Sequence, residues 1–388
     1  MLLGVILIAV VGAACSSSDS GGGSDATTST EKTEQTATTD TLEAVTDVAA
    51  PSEPGPYAVG RSVIQLQDDS RGRPLTADVW YPVTAGTTGA PSVYQFIPGI
   101  EFASKIALAD VAVSTDGPFP LVIYSHGSGG LRYVASFFTE TLASYGFVVA
   151  AVDHVGNTAV ESISGTEPPR DEIAYNRVLD VNFLITQMLA SSVAPEGQFS
   201  GSIDPERIGV SGHSFGGFTA LAAASGYSNP LGTIPGDDRI IAVVGQSPAT
   251  RLSSDEELSA VDVPTLLQSG TEDETVTIED GTERPWELVP GRPLWRVDID
   301  GAGHQSFTDV CDYQELLPTL PDVPAVLTEA VDGFAEEGCT PELMPIARAH
   351  ALINRSAISF LLTYVAGEKG YEKFLADEVP GETVQVKE

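Results

Sequence analysis

The segment Gly212-His213-Ser214-Phe215-Gly216 constrains this chain more than any other, because of what flanks it. Ahead of it, Arg207-Ile208-Gly209-Val210 is an apolar run opened by a charge, and it reads as a short buried strand. Behind it, Gly217-Phe218-Thr219-Ala220-Leu221-Ala222-Ala223-Ala224 reads as a helix. A G-x-S-x-G pentapeptide alone occurs by chance. Between a strand and a helix it is a nucleophile elbow, a strained turn that presents the serine hydroxyl. Side chains at Gly212 or Gly216 would collide with the strand or the helix. The plain alternative is a glycine-rich helix entry with a surface serine.

The rest of the chain alternates in the same way. Ser62–Gln67 and Ala77–Tyr81 read as an opening pair of strands. Buried strands follow at Pro120–Ser125, Phe147–Val152, Arg207–Ser211, Ile240–Val244 and Thr265–Gln268, with Trp295–Ile299 as the last. Helices are expected over Phe137–Tyr145, Glu172–Leu189 and about Pro345 to Tyr364, the last closing the chain before a short charged tail from about Asp377. Continuous apolar strands between helices imply a mostly parallel sheet covered on both faces. Two insertions, Val155 to about Asn176 and Thr308 to Met344, are placed to form a lid or rim.

A serine hydroxyl needs a base in hydrogen-bond reach, and the base needs an orienting acid. After an elbow of this kind the chain order is Ser, acid, His. Of the five histidines, His126 precedes a glycine run and His154 follows Phe147–Val152. His213 lies inside the elbow and is expected to face away from Ser214, and His350 lies on the last helix. His304, in Gly301-Ala302-Gly303-His304, alone follows the final strand and is the candidate base. Asp273 follows Thr265–Gln268 and is the candidate acid, with neighbouring Glu272 as the alternative. The preceding strand leads into Gly245-Gln246-Ser247-Pro248, with no acid before Asp255. The oxyanion needs two N–H donors. Phe215, after the nucleophile, supplies one, and Ser128 in His126-Gly127-Ser128-Gly129-Gly130 is the candidate for the other. Trp286 is a weak candidate for lining the cleft.

These pieces resemble the α/β-hydrolase superfamily, and within it the platelet-activating-factor acetylhydrolase-like and dienelactone-hydrolase-like serine esterases. The resemblance rests on Ala77–Pro82, Pro120–Gly130, Tyr145–His154, Gly212–Gly217, Gly270–Val276 and Gly301–Phe307, in that order. It implies an α/β-hydrolase fold and hydrolysis of a small-molecule, lipid or polymer ester, with no metal or organic cofactor. Polyester-degrading hydrolases share the layout. Two departures stand out. Dienelactone hydrolases use a Cys nucleophile where this chain has Ser214, and the acetylhydrolases take their acid after the earlier strand, where this chain has Gln246-Ser247.

Leu2 to Ala14 is almost wholly apolar and ends in Gly12-Ala13-Ala14-Cys15. It is shorter than the roughly 20 residues of a membrane span and fits a signal peptide. Small residues before a Cys resemble the bacterial lipobox, which makes Cys15 the candidate lipidation site; plain secretion is the alternative. Ser16 to about Pro54 reads as a Ser/Thr/Gly-rich tether, and the hydrolase domain is expected over 55–388. With Cys15 lipidated, Cys311 and Cys339 remain as a pair suited to a disulfide, worth on the order of 3 kcal/mol. Formal net charge is −35, from 54 acidic and 19 basic residues, which excludes a nucleic-acid partner and disfavours anionic lipid surfaces. Membrane association is therefore expected only through an N-terminal lipid. Three functions are compatible with the chain: a serine ester hydrolase, an amidase or peptidase on the same triad, and a catalytically silent surface-binding lipoprotein.

Overall fold

The structure, a computed structural model, describes residues 48–388. The expectations for Leu2–Ala14, Cys15 and most of the 16–54 tether lie outside the described residues. Among the described residues no helix is long and apolar enough to cross a membrane.

The chain opens with strands β1 (Ala58–Asp68) and β2 (Arg73–Val83), paired antiparallel, then β3 (Pro91–Ile97) and β4 (Ile100–Ala109). The α/β part begins with β5 (Phe119–Ser125), α1 (Ser136–Ser144), β6 (Val148–Val152), α2 (Ala159–Ser164) and α3 (Arg170–Val193). Next come β7 (Ile203–His213), α4 (Phe215–Ser225), the hairpin β8 (Gly226–Asn229) and β9 (Gly232–Pro235), and β10 (Ile240–Gln246). Then follow α5 (Asp255–Leu258), β11 (Thr265–Gly270), α6 (Arg284–Leu288), β12 (Leu294–Ile299), α7 (Val310–Leu316) and α8 (Ala325–Ala335). The chain closes with α9 (Ile346–Tyr364), α10 (Lys373–Ala376) and β13 (Glu382–Lys387).

Eleven strands form one sheet in the order β13-β12-β11-β10-β7-β5-β6-β2-β1-β4-β3. From β6 to β12 all neighbours are parallel. The side chains of β5 show why this sheet needs two covers. Val122 and Tyr124 belong to the apolar cluster shared with α1 and α9, whereas Leu121 and Ile123 belong to the one shared with α3 and α4. That is the period-2 alternation of a strand buried on both faces.

Two sequence expectations change here. Trp295–Ile299 is not the last strand, because Glu382–Lys387 pairs antiparallel with it where a charged tail was expected. Residues 91–109, not assigned from sequence, form β3 and β4 at the opposite edge.

Strand order reverses at β5, with β6 on one side and β7 on the other. In open α/β sheets the crevice beyond the strand C-termini at such a switch point is where ligands bind. The turns after β5, β7, β11 and β12 all open there, carrying Gly127–Gly130, Ser214, Asp273 and His304 respectively.

Candidate active site

Ser214 sits between β7 and α4 with φ 57° and ψ −119°, a left-handed conformation that a non-glycine residue adopts only at a cost. Its neighbours make the turn feasible. A Cβ at Gly216 would come 1.8 Å from Ser125 O, and one at Gly212 would come 2.3 Å from Gly216 O. The turn is pinned from outside by Ser214 N donating to Gln246 O and Ala249 N donating to Ser214 O.

Ser214 Oγ lies 2.9 Å from His304 Nε2, and His304 Nδ1 lies 2.7 Å from Asp273 Oδ2. All three residues are buried. Asp273 is held in turn by Val276 N, which donates to Oδ1 at 2.7 Å, and by the Ser247 hydroxyl, which donates to Oδ2. Glu272, the alternative acid, is exposed and its side chain does not reach His304.

Ser128 and Phe215 stand on either side of the serine, in the turn after β5 and at the first position of α4. Among the described residues neither backbone N–H has an acceptor. A Cβ on Gly127 would lie 3.4 Å from Ser214 Cβ and 3.3 Å from His213 Nδ1, so the loop packs directly against the elbow.

The other histidines divide clearly. His213 was expected to face away from Ser214; instead it lines the same cavity, its ring 4.5 Å from that of His304. Burial, with His304 beside it, pushes its pKa well below the usual imidazole value and keeps it neutral. His350 is half-buried and stacked on Phe137, with rings 3.6 Å apart, and pairs with Thr308 O. His154 takes part in a second Ser-His-Asp arrangement: Nε2 is 2.9 Å from Ser125 Oγ and Nδ1 is 3.1 Å from Asp180 Oδ2. Ser125, His154 and Asp180 are almost wholly inaccessible and line no cavity of the site, so no substrate reaches them. Burial pulls His154 down to about 4, leaving it a neutral structural link.

A cavity of about 620 Å³ opens over Ser214 and His304. Both insertions contribute walls: Ile163 from α2, and Leu327, Val331 and Phe334 from α8. Its charged lining residues are Glu329 and Glu337. Cys311 on α7 and Cys339 just beyond α8 are joined by a disulfide, with their Cα atoms 5.3 Å apart, tying the α8 wall to the chain that leaves His304. Trp286 is not part of this wall. It sits on α6, packs on the α3/α4 side of the sheet, and has Lys387 Nζ over its ring at 4.5 Å. Its ring meets Lys387 on β13 at the edge of the sheet, and it is not among the residues that line the cavity.

Two residues close to the site had no place in the sequence expectations. Arg177 and Asn157 bond to the loop after β5 and to Ser128 Oγ respectively. Arg177 left one signal: it falls on the apolar stripe Ile173-Ala174-Val178-Val181 of α3, where a charge has no reason to be unless it has buried partners.

A buried hydroxyl, imidazole and carboxylate in line, beside two unpaired N–H groups at a strand-helix elbow, is an arrangement suited to acyl transfer. With this sheet around it, the chain has the α/β-hydrolase fold. The comparisons narrow the likeness. Residues 104–187 match the family model of platelet-activating factor acetylhydrolase, isoform II. The chain is 30% identical over 175 residues to the platelet-activating factor acetylhydrolase of Canis lupus familiaris, covering 34% of this chain and 39% of that protein. Its identity to the Cavia porcellus acetylhydrolase is 26% over 237 residues, covering 45% and 52%. The chain thus spans about half or less of the length of these curated relatives. Among solved structures, a ferulic acid esterase from Streptomyces cinnamoneus shares the fold, with TM-score 0.57 and 23% identity over 82% of this chain and 93% of that one.

Proposed function

We propose that the protein is a serine ester hydrolase working through an acyl-enzyme on carboxylic esters of short to medium acyl length. The observation that carries this reading is the line Ser214 Oγ, His304 Nε2/Nδ1, Asp273 Oδ2, with its 2.9 and 2.7 Å spacings, at the floor of an apolar cavity. Ser214 Oγ attacks the ester carbonyl carbon while His304 Nε2 takes the hydroxyl proton. The carbonyl oxygen becomes an oxyanion and accepts from the N–H groups of Ser128 and Phe215. Collapse breaks the bond to the alcohol, which leaves with the proton from Nε2. A water, deprotonated by His304, then attacks the acyl-enzyme and frees the acid and Ser214. Asp273 keeps the Nδ1 proton on His304 and stabilises the imidazolium.

The similarity to acetylhydrolases and to an esterase fold supports the ester class. The Leu2–Cys15 segment supports export with a lipid on Cys15, which would make the 16–54 stretch a spacer. The deciding experiment compares wild type with Ser214→Ala on nitrophenyl esters from acetyl to long acyl and on the matching anilides, with fluorophosphonate labelling. The expected outcome is ester hydrolysis and labelling, both abolished in Ser214→Ala, with the anilides far slower. A folded wild type with neither turnover nor label would refute the proposal and leave a binding protein on this fold.

A further inference from the structure

The reaction just described makes no use of Arg177, although it is the most heavily engaged buried cation near the site. Its relative exposure is 1%. Nη1 donates to His126 O at 2.6 Å, Nη2 to Gly127 O at 2.9 Å, and Nε to Asn157 Oδ1 at 2.9 Å. The flat of the guanidinium lies against Phe215, with Cζ 4.7 Å from the ring centroid. One side chain therefore touches both segments that carry the candidate oxyanion donors: the loop of Ser128 and the residue Phe215 itself.

Peptide geometry turns these contacts into a directional effect. Gly127 O also accepts from His126 Nδ1 at 2.7 Å and from Gly130 N at 3.2 Å, so three donors fix that carbonyl. The Gly127–Ser128 peptide is trans, and in a trans peptide the C=O and the following N–H point in opposite directions. Drawing Gly127 O toward Arg177, inside the protein, turns Ser128 N–H the other way. Gly127 and Ser128 line the cavity and Arg177 does not, so the other way is toward the reacting carbonyl. Asn157 braces the far side of the same peptide by donating from Nδ2 to Ser128 Oγ at 3.1 Å. The planar fork explains the residue type. Two successive carbonyls accept from two nitrogens of one rigid group, which a lysine ammonium cannot reproduce. Burial lowers the guanidinium pKa to about 9 against the pull of the Asp180 carboxylate, so the group keeps its charge at neutral pH.

We propose that Arg177 is the positioning residue of the oxyanion site, aligning the N–H of Ser128 through the Gly127 carbonyl and seating Phe215 through its ring. This rests on the esterase reading above.

The test is Arg177→Lys, which keeps the charge and removes the fork, with Arg177→Gln beside it. Rates are normalised to active sites counted by fluorophosphonate titration, so that a merely misfolded fraction drops out. The expected result is a loss in kcat of roughly 100-fold or more, the scale of one lost oxyanion donor. KM should stay within about threefold, as for an interaction made only in the transition state. Affinity for a trifluoromethyl ketone, whose hemiketal oxygen occupies the oxyanion position, should fall by the same factor as kcat/KM. The pH midpoint of kcat/KM should not move, because His304 is untouched. Wild-type kcat per titrated site in Arg177→Lys would overturn the inference, as would a loss carried by KM with ketone affinity unchanged. Should neither arginine variant fold, Asn157→Ala serves: a parallel fall in kcat and ketone affinity supports the inference, and unchanged values overturn it. An inactive wild type refutes the esterase reading itself, whereas an active wild type with unaffected variants refutes only the role of Arg177.

Discussion

His304 Nδ1 and the Ser247 hydroxyl both donate to one oxygen, Oδ2 of Asp273, while Val276 N holds the other. The carboxylate is thus fixed in orientation before any substrate arrives. Ser247 reaches it from a left-handed backbone, with φ 44°, at the end of the strand preceding β11. The acid and the strand end that lacks an acid therefore act on the same imidazole.

Replacing Asp273 by Asn should leave the fold intact and the tautomer of His304 wrong. The expected loss in kcat is about 10⁴-fold, while Glu272→Gln, at an exposed position, should keep wild-type rates. Steady-state kinetics on a nitrophenyl ester check both, and equal losses in the two variants would undo the assignment of the acid.

Much of the central architecture was legible because its strands are apolar throughout. Phe119–Ser125 and Val148–Val152 are buried at every position, and such runs announce themselves without periodicity. The edges carry no such signal. Glu382–Lys387 buries only Glu382 among its six residues, so it read as a charged tail. Pro91–Ile97 buries Ser92 and exposes Val93, so its alternation does not follow residue polarity, and the segment stayed unassigned. At the site, Ser214, Asp273 and His304 each follow a recognisable strand. The orientation of His213, the distance of Trp286 from the cleft and the use of Arg177 depend on packing between elements far apart in sequence, which local spacing does not encode.

The disulfide joins α7 to the end of α8, and α8 supplies Leu327, Val331 and Phe334 to the cavity. Cutting it in the double variant Cys311→Ala/Cys339→Ala should lower stability by about 3 kcal/mol. It should also loosen the wall. The expected signature is a rise in KM for longer acyl chains with acetyl ester kinetics nearly unchanged. Equal KM shifts at every chain length would argue against a wall held by this bond.

The cavity lining carries Glu329 and Glu337, and among the described residues no Lys or Arg lines it. Thr275 Oγ1 donates to Glu337 Oε1 at 2.8 Å, which keeps that carboxylate near the loop of the acid. An ester with a negative charge on its acyl chain should therefore be a poorer substrate than its neutral counterpart of equal length. The expected ratio in kcat/KM between nitrophenyl butyrate and nitrophenyl hemisuccinate is roughly tenfold or more at low salt, narrowing as salt screens the acids. Glu329→Gln/Glu337→Gln should close the gap. A ratio insensitive to both salt and the substitutions would remove charge as a selector.

Asp309, five residues beyond the candidate base, closes the N-terminus of α1 from outside. Its Oδ2 accepts from Ser136 N at 2.5 Å and from Ser136 Oγ at 2.6 Å, and its Oδ1 accepts from Phe137 N at 3.3 Å. Burial pushes its pKa up to about 7, and the bonds from Ser136 and Phe137 only partly offset this. Asp312 raises it further, while Lys105, Tyr124 and Tyr313 also face the group. The folded state therefore holds a proton that the unfolded chain has already released above about pH 4. Between about pH 4 and 7 unfolding releases that proton, so this contribution is full below the unfolded pKa and is lost as pH rises to about 7. Relative to Asp309→Asn, the wild type should lose roughly 2–3 kcal/mol between pH 5 and pH 8. Urea unfolding of both proteins at the two pH values measures the difference. A gap that stays constant with pH would mean that the carboxyl is ionised throughout and that the cap bonds to Ser136 and Phe137 outweigh its burial.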